Sequence, residues 1–254
     1  MKRFFFPRLK TRHMTHDVAP SPILHELRAL LQSGAVPEWL PVQSLVSGAG
    51  ILWAARPAAA TVPGQVIRIT DVGTAAHGSH WVSDGTNWRP VNGRVVLASL
   101  AGSTAAPVCS VTGSTGASFA IPGGNIKVPA GLLLPGAQLE VRPVFRRVGA
   151  NATGNVNVTI GTSQSASDSN LVAQGLAATT NLDFAPDPRV FVSSATVITS
   201  TAWLQVGGGT GGGATLDRSA NFNTAADMWV SLYTSSANAA DVFQLLALQV
   251  AVVE

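Results

Sequence analysis

The residues best equipped for chemistry are few and poorly grouped. His77 and His80 stand three apart. A metal held there would need a third ligand, and Asp71 and Asp84 are the only local carboxylates. The histidines fall in a hairpin loop rather than on a helix, so a surface loop is the plainer reading. Cys109 is the one cysteine, with no assignable base beside it. A lone thiol allows no intrachain disulfide and no thiolate metal cluster within one subunit. No G-x-S-x-G elbow occurs. The acids are too scattered to argue a glycosidase pair. Asp183 and Asp187 flank prolines and shape a loop, while Asp168 in SQSASDSN reads as an Asx-turn or cap residue rather than part of a calcium loop. The run from Gly207 to Gly213 has no lysine at phosphate-loop spacing. Arg142, Arg146 and Arg147 follow a strand and could meet an acidic partner or a neighbouring subunit; a solvated sheet edge is the plainer reading. The expectation is a protein without catalysis, cofactor or metal.

Composition points the same way. Only 11% of the 254 residues are charged, and mean hydropathy is +0.28. Few charges leave little to cover an isolated surface, so contacts in a homo-oligomer or larger assembly are expected. The net charge of +3 is concentrated at the start of the chain. Lys2, Arg3, Arg8, Lys10 and Arg12 all precede the first acid, Asp17, whereas residues 61–254 carry 9 basic and 10 acidic side chains. The basic balance therefore describes an arm, not a nucleic-acid face. Docking of that arm on an acidic protein neighbour is favoured over contact with nucleic acid. Met1-Lys2-Arg3 before Phe4-Phe5-Phe6 imitates a signal peptide, but Pro7, Arg8 and Lys10 cut the apolar run short. No run reaches the roughly 18 apolar residues that span a bilayer. A chain made in the cytosol, with no membrane insertion, is expected.

The elements that would carry these residues are mostly strands. Residues 22–32 (PILHELRALLQ) form the one good helix candidate. Ser21 can cap it, Pro22 suits its first position, and Ile23, Leu24, Leu27, Leu30 and Leu31 make an apolar stripe. So short a helix needs a surface to lie on, in its own body or in a neighbour. Pro37, Pro41, Pro57 and Pro63 keep the following chain extended, as a threading or docking segment. Residues 65–71 alternate as a half-buried strand. Past a linker at 99–117, strand patterns recur at 139–147, 155–160, 171–176, 190–199, 202–206, 228–233 and 242–252. The last, VFQLLALQVAVV, is apolar on both phases, as a central strand or one buried between subunits would be. Trp203, Trp229 and Tyr233 fall within strand phases and read as core.

The densest signal is SHWVSDGTNWRPVNGRVVL at 79–97. Asp84-Gly85 and Asn92-Gly93 are turn dipeptides, with Val95-Val96-Leu97 as the candidate return strand. Trp81 and Trp88 can hold so small a sheet together, because each buries 150–250 Å². A core role is the plainer reading; a carbohydrate-stacking platform is the sharper one.

This segment resembles a module of structural proteins of tailed bacteriophages, in which a G-x-x-x-x-V/I-T-D stretch leads into W-x-S-D-G-T-x-W-R-P-V-N-G. Gly64, Thr70, Asp71, Trp81, Ser83, Asp84, Gly85, Thr86, Trp88, Arg89, Pro90, Val91, Asn92 and Gly93 match. Residues 118–254 resemble the distal β-sandwich or jelly-roll domains of such proteins more loosely. The resemblance implies an all-β virion protein in four parts: an anchoring arm at 1–60, a Trp-rich module at 61–98, the linker at 99–117, and a jelly-roll-like β-sandwich at 118–254. It implies a trimeric short tail fibre or tail-tip protein, anchored to other virion proteins and touching the host surface, including its glycans, through the distal domain. A capsid decoration or head-fibre protein is the alternative within that class; an independent carbohydrate-binding β-sandwich is the alternative outside it. The chain lacks the repeated shaft and long heptads of a full fibre.

Overall fold

A computed structural model describes residues 50–254 except 73–78, 114–115, 150–152, 177–181, 187–188 and 202–214. The helix at 22–32, and with it Leu24, Leu27 and Leu31, lies outside the described residues, as do Lys2, Arg3, Arg8, Lys10 and Arg12.

The chain enters through two three-residue 3-10 turns, Trp53–Ala55 and Ala59–Thr61. A three-stranded antiparallel sheet follows, made of β1 (Val66–Ile69), β2 (Ser79–Ser83) and β3 (Trp88–Pro90) in that order. Its alternation puts Ile67, Ile69, Trp81, Ser83, Trp88 and Pro90 on the buried face, and Arg68 and His80 on the exposed one. Asn92-Gly93 does turn the chain, with Gly93 at φ +63°. The strand that follows, β4 (Arg94–Ala101), nevertheless does not return to β3. It leaves the module and pairs with the last strand, β16 (Val242–Val253).

The largest sheet has eight strands. Its path runs β14 (Thr215–Arg218), β13 (Val197–Thr201), β12 (Arg189–Ser194), β8 (Gln138–Val148), β16, β4. Two short strands attach beside it: β11 (Leu182–Phe184) on β8 and β5 (Cys109–Thr112) on β16. Residues 99–117 thus supply the end of β4 and all of β5. The third sheet runs β10 (Ser169–Leu176), β9 (Gly154–Gly161), β15 (Met228–Ser236), β6 (Ala117–Ser118), with β7 (Ile126–Val128) also on β15.

The last strand resolves its two-phase pattern by a bulge. Val242–Leu245 pairs with Val148–Phe145, the register shifts between Leu245 and Ala247, and pairing continues to Val253. One extra residue flips strand parity. Phe243 and Leu245 before the shift, and Leu248, Val250 and Val252 after it, are therefore all buried in the same core.

The fold is all-β, but the jelly-roll β-sandwich expected over 118–254 is overturned, and the helix joined to it is not seen among the described residues. The structure has three open sheets. None closes into a barrel or jelly roll, and no described helix reaches seven residues. The reason is the pairing of the two longest strands. β8 and β16 form one ladder of 11 and 12 residues, which gathers β4, β5, β11 and the β12–β13–β14 meander around it. The jelly-roll order has no place for that arrangement, and the trimer inferred alongside the jelly roll loses its basis.

Candidate functional site: a tryptophan clamp on the incoming chain

The module is built to hold residues 51–65. Ile51 lays itself on the outer edge of β1 as a parallel bridge to Ile69. Its N–H donates to Arg68 O at 2.8 Å, and Thr70 N–H donates to Ile51 O at 3.0 Å. Two residues on, Trp53 is 3% exposed and its ring centroid lies 4.8 Å from that of Trp81, tilted by 59°. Such tilted pairs add to the burial term. Trp53 is also bonded at both ends. Its backbone N–H donates to Asp71 Oδ1 at 2.7 Å, and its indole N–H to Ala130 O at 2.8 Å. The Arg56 guanidinium stacks 3.7 Å over the Trp53 ring and donates to Trp53 O. Burial lowers the Arg56 pKa, and the nearby Asp71 charge works against that shift.

The rest of the segment is fastened by residues of the SDGTNWRP motif. Trp88, 5% exposed, donates its indole N–H to Pro57 O at 2.8 Å. Buried Ser83 donates its hydroxyl to Ala59 O at 2.7 Å. Asp84 caps the β2–β3 turn, accepting from Thr86 N–H at 2.8 Å and Asn87 N–H at 2.6 Å. It also accepts from Arg89 Nε at 2.8 Å. The backbone bond from Asn87, the Arg89 bond and the Thr86 bond together hold the Asp84 carboxyl at about 2. Gly85 sits at φ +88°, a conformation that costs a side chain-bearing residue roughly 1–2 kcal/mol. The motif residues are thus turn formers, caps and core aromatics, and their chemistry is that of holding a chain in place.

The clamp continues into the body. Ala130, which takes the Trp53 indole bond, donates its own N–H to Asp227 Oδ1 at 2.9 Å, beside the first residue of β15. Arg89 reaches Glu254 at the end of β16. Named bonds thus join the module to residues beside the central strands of both larger sheets.

The other candidate residues do not converge. His80 is exposed, and His77 lies outside the described residues, as does Asp187. Cys109 is half-buried, and burial raises its thiol pKa. Strand alternation splits the arginine group: Arg142 and Arg146 face one way, and Arg147 is fully buried on the other side. Glu140 lies between Arg94 at 2.9 Å and Arg142 at 3.6 Å. Asp168 is buried, bonded to Ser163, Ser165 N–H and Asn221. No cluster of three metal-ligating side chains occurs among the described residues.

Trp53 and Arg56 are the site residues that sequence reasoning missed. Their signal was a tryptophan and an arginine set among the prolines of a segment read only as extended. Trp81 and Trp88 are both buried, so neither offers a ring face to a sugar. No family model, curated protein or solved structure matches the chain.

Proposed function

We propose that this chain is a non-enzymatic structural protein of a tailed-phage particle, a short-fibre or tail-tip component. Residues 1–49 anchor it to other virion proteins, and the larger sheets face outward to the host surface. The observation that carries the reading is the clamp on Trp53. A chain that must bear load between an anchor and a head needs its junction fixed, and here a buried aromatic pair, two hydrogen bonds and a stacked arginine fix one residue. The match of the SDGTNWRPVNG motif to phage structural modules supports the same role, because Ser83 and Trp88 of that motif bond carbonyls of the incoming segment.

The test is immunogold labelling of whole particles with antibody raised against residues 118–254. Label at the tail end is the expected result. Label spread over the head would replace the tail role with capsid decoration, and particles free of label would overturn the proposal.

A further inference from the structure

The tryptophan module has a second face, opposite its buried rings. Strand phase puts Val66 and Arg68 of β1 and His80 and Val82 of β2 on that face. Val91 extends it beyond β3, with its N–H donating to His80 O at 2.9 Å. Leu52 extends it on the other edge. Its neighbour Ile51 bridges Ile69 and packs with the core, so the extended backbone at Leu52 turns the next side chain the opposite way. Leu52 is 55% exposed and Val91 52%, the two most open large apolar side chains among the described residues. Both lie on this one small face, and grouped aliphatic exposure marks an interaction surface.

Between the two aliphatics lies a basic pair. Arg68 and His80 are direct cross-strand partners, and both are exposed. Their register is the closer of the two antiparallel kinds, because Arg68 O turns outward to Ile51 N–H and His80 O to Val91 N–H. Among the described residues neither side chain has a hydrogen bond or an ion pair. The local carboxylates are engaged elsewhere: Asp84 holds Arg89, and Asp71 accepts the Trp53 N–H.

We infer that this face docks an extended acidic segment of a neighbouring protein, one that carries a carboxylate between two apolar residues. The guanidinium and the imidazole can both donate to a single carboxylate. Leu52 and Val91 stand three strand spacings apart, which with their offset along the strands makes roughly 15 Å. An extended segment with apolar residues at i and i+4 and a carboxylate at i+2 spans about 13 Å on one face. Nucleic acid fits less well, since it asks for a basic groove and exposed rings on which bases stack. Anionic membrane fits less well too, since it asks for about four to eight clustered cations. The inference deepens the proposed anchoring and rests on it only for the identity of the neighbour, a virion protein.

Saturation-transfer NMR on the full chain tests it, with the end-blocked peptide leucine-serine-glutamate-serine-leucine as probe. Transfer to the leucine methyl protons is expected. Glutamine in place of the glutamate, or Arg68→Ala in the protein, should weaken binding about tenfold, the loss of one charge-assisted hydrogen bond. Leu52→Ser and Val91→Ser should each weaken it as well, by removing an apolar contact. Because these side chains are exposed, circular dichroism should show every variant folded. Absence of transfer, or equal transfer with the glutamine peptide or with Arg68→Ala, would overturn the inference. So would tighter binding of oligothymidine or of phosphatidylserine vesicles than of the peptide. Gold labelling of particles does not depend on these results, so the two proposals fail separately.

Discussion

The guanidinium of Arg89 meets the carboxylate of Glu254 at 3.2 Å, joining the tryptophan module to the end of β16 across 165 residues of chain. The two partners are unequally placed, since the Glu254 side chain is 7% exposed and that of Arg89 43%. Removing the cation strands a mostly buried carboxylate, whereas removing the carboxylate leaves an arginine that water and Asp84 still satisfy. Arg89→Ala should therefore cost more than Glu254→Gln, by about 1 kcal/mol. Adding Glu254→Gln to Arg89→Ala should recover part of the loss. Urea titration of the two single variants and the double variant measures the coupling.

The two carboxylates on Arg89 titrate with opposite signs. Asp84 is held at about 2 against an ordinary 3.8. Its stabilising contribution is present above the ordinary value and is lost as pH falls toward 2. Burial raises Glu254 above its ordinary value, with Arg89 opposing. The folded state then binds the proton more tightly than the unfolded one, so stability falls as pH rises through that group's range. Thermal melts across the acid range should show the first limb flattened by Asp84→Asn and the second by Glu254→Gln. Asparagine keeps the oxygen that caps Thr86 and Asn87 but sets an NH2 group where Oδ2 accepts from Arg89 Nε, so the charge and that bond are tested together. An Asp84→Asn variant with an unchanged acid limb would refute the assignment.

Trp88→Ala should cost about 3–5 kcal/mol, the range for a buried aromatic. Trp88→Phe keeps most of the packing and loses the bond to Pro57, so it should cost about 1 kcal/mol from that bond plus a smaller packing term. An unchanged thermal transition in Trp88→Ala would mean that the ring is not holding the clamp.

The boundary between arm and body can be tested by truncation. Chains 50–254 and 63–254 differ by Ile51, Trp53 and Ala59, and by the carbonyls that satisfy Trp88 and Ser83. The shorter chain should melt about 10 °C lower, as expected for the loss of one buried tryptophan from a domain of this size. Equal melting would show that residues 50–62 lie on the module without supporting it.

Local chemistry was legible in the sequence; pairing was not. Trp81, Trp88, the Asp84-Gly85 turn and the alternation at 155–160 are written in adjacent residues, and each lies in the turn or strand expected. The partners of those strands are not adjacent. β4 follows a hairpin dipeptide yet pairs with β16 well over a hundred residues later, because the apolar residues of β16 have more surface to bury than a three-residue β3 can offer. Trp229 is a related case, half-buried on the same phase of β15 as the buried Tyr233. Its strand phase is plain, but which phase faces the core depends on which sheet it joins. Glu254 carries no local mark of its role, since Arg89 finds it only through the fold.

The bulge in β16 makes the sharpest test of that dependence. Leu246 is the residue that the register shift leaves over between Leu245 and Ala247. Deleting it would remove the extra residue and restore strict alternation, with Phe243, Leu245, Leu248, Val250 and Val252 at every second position and so on one face. These side chains, now at most 1% accessible, would all keep their place in the core. Deletion of Leu246 should therefore leave a cooperative transition, and Leu246→Ala, which keeps the extra residue, should shift it by only about 1 kcal/mol. Loss of the cooperative transition on deletion would show that the bulge itself, and not the parity it sets, is what the strand requires.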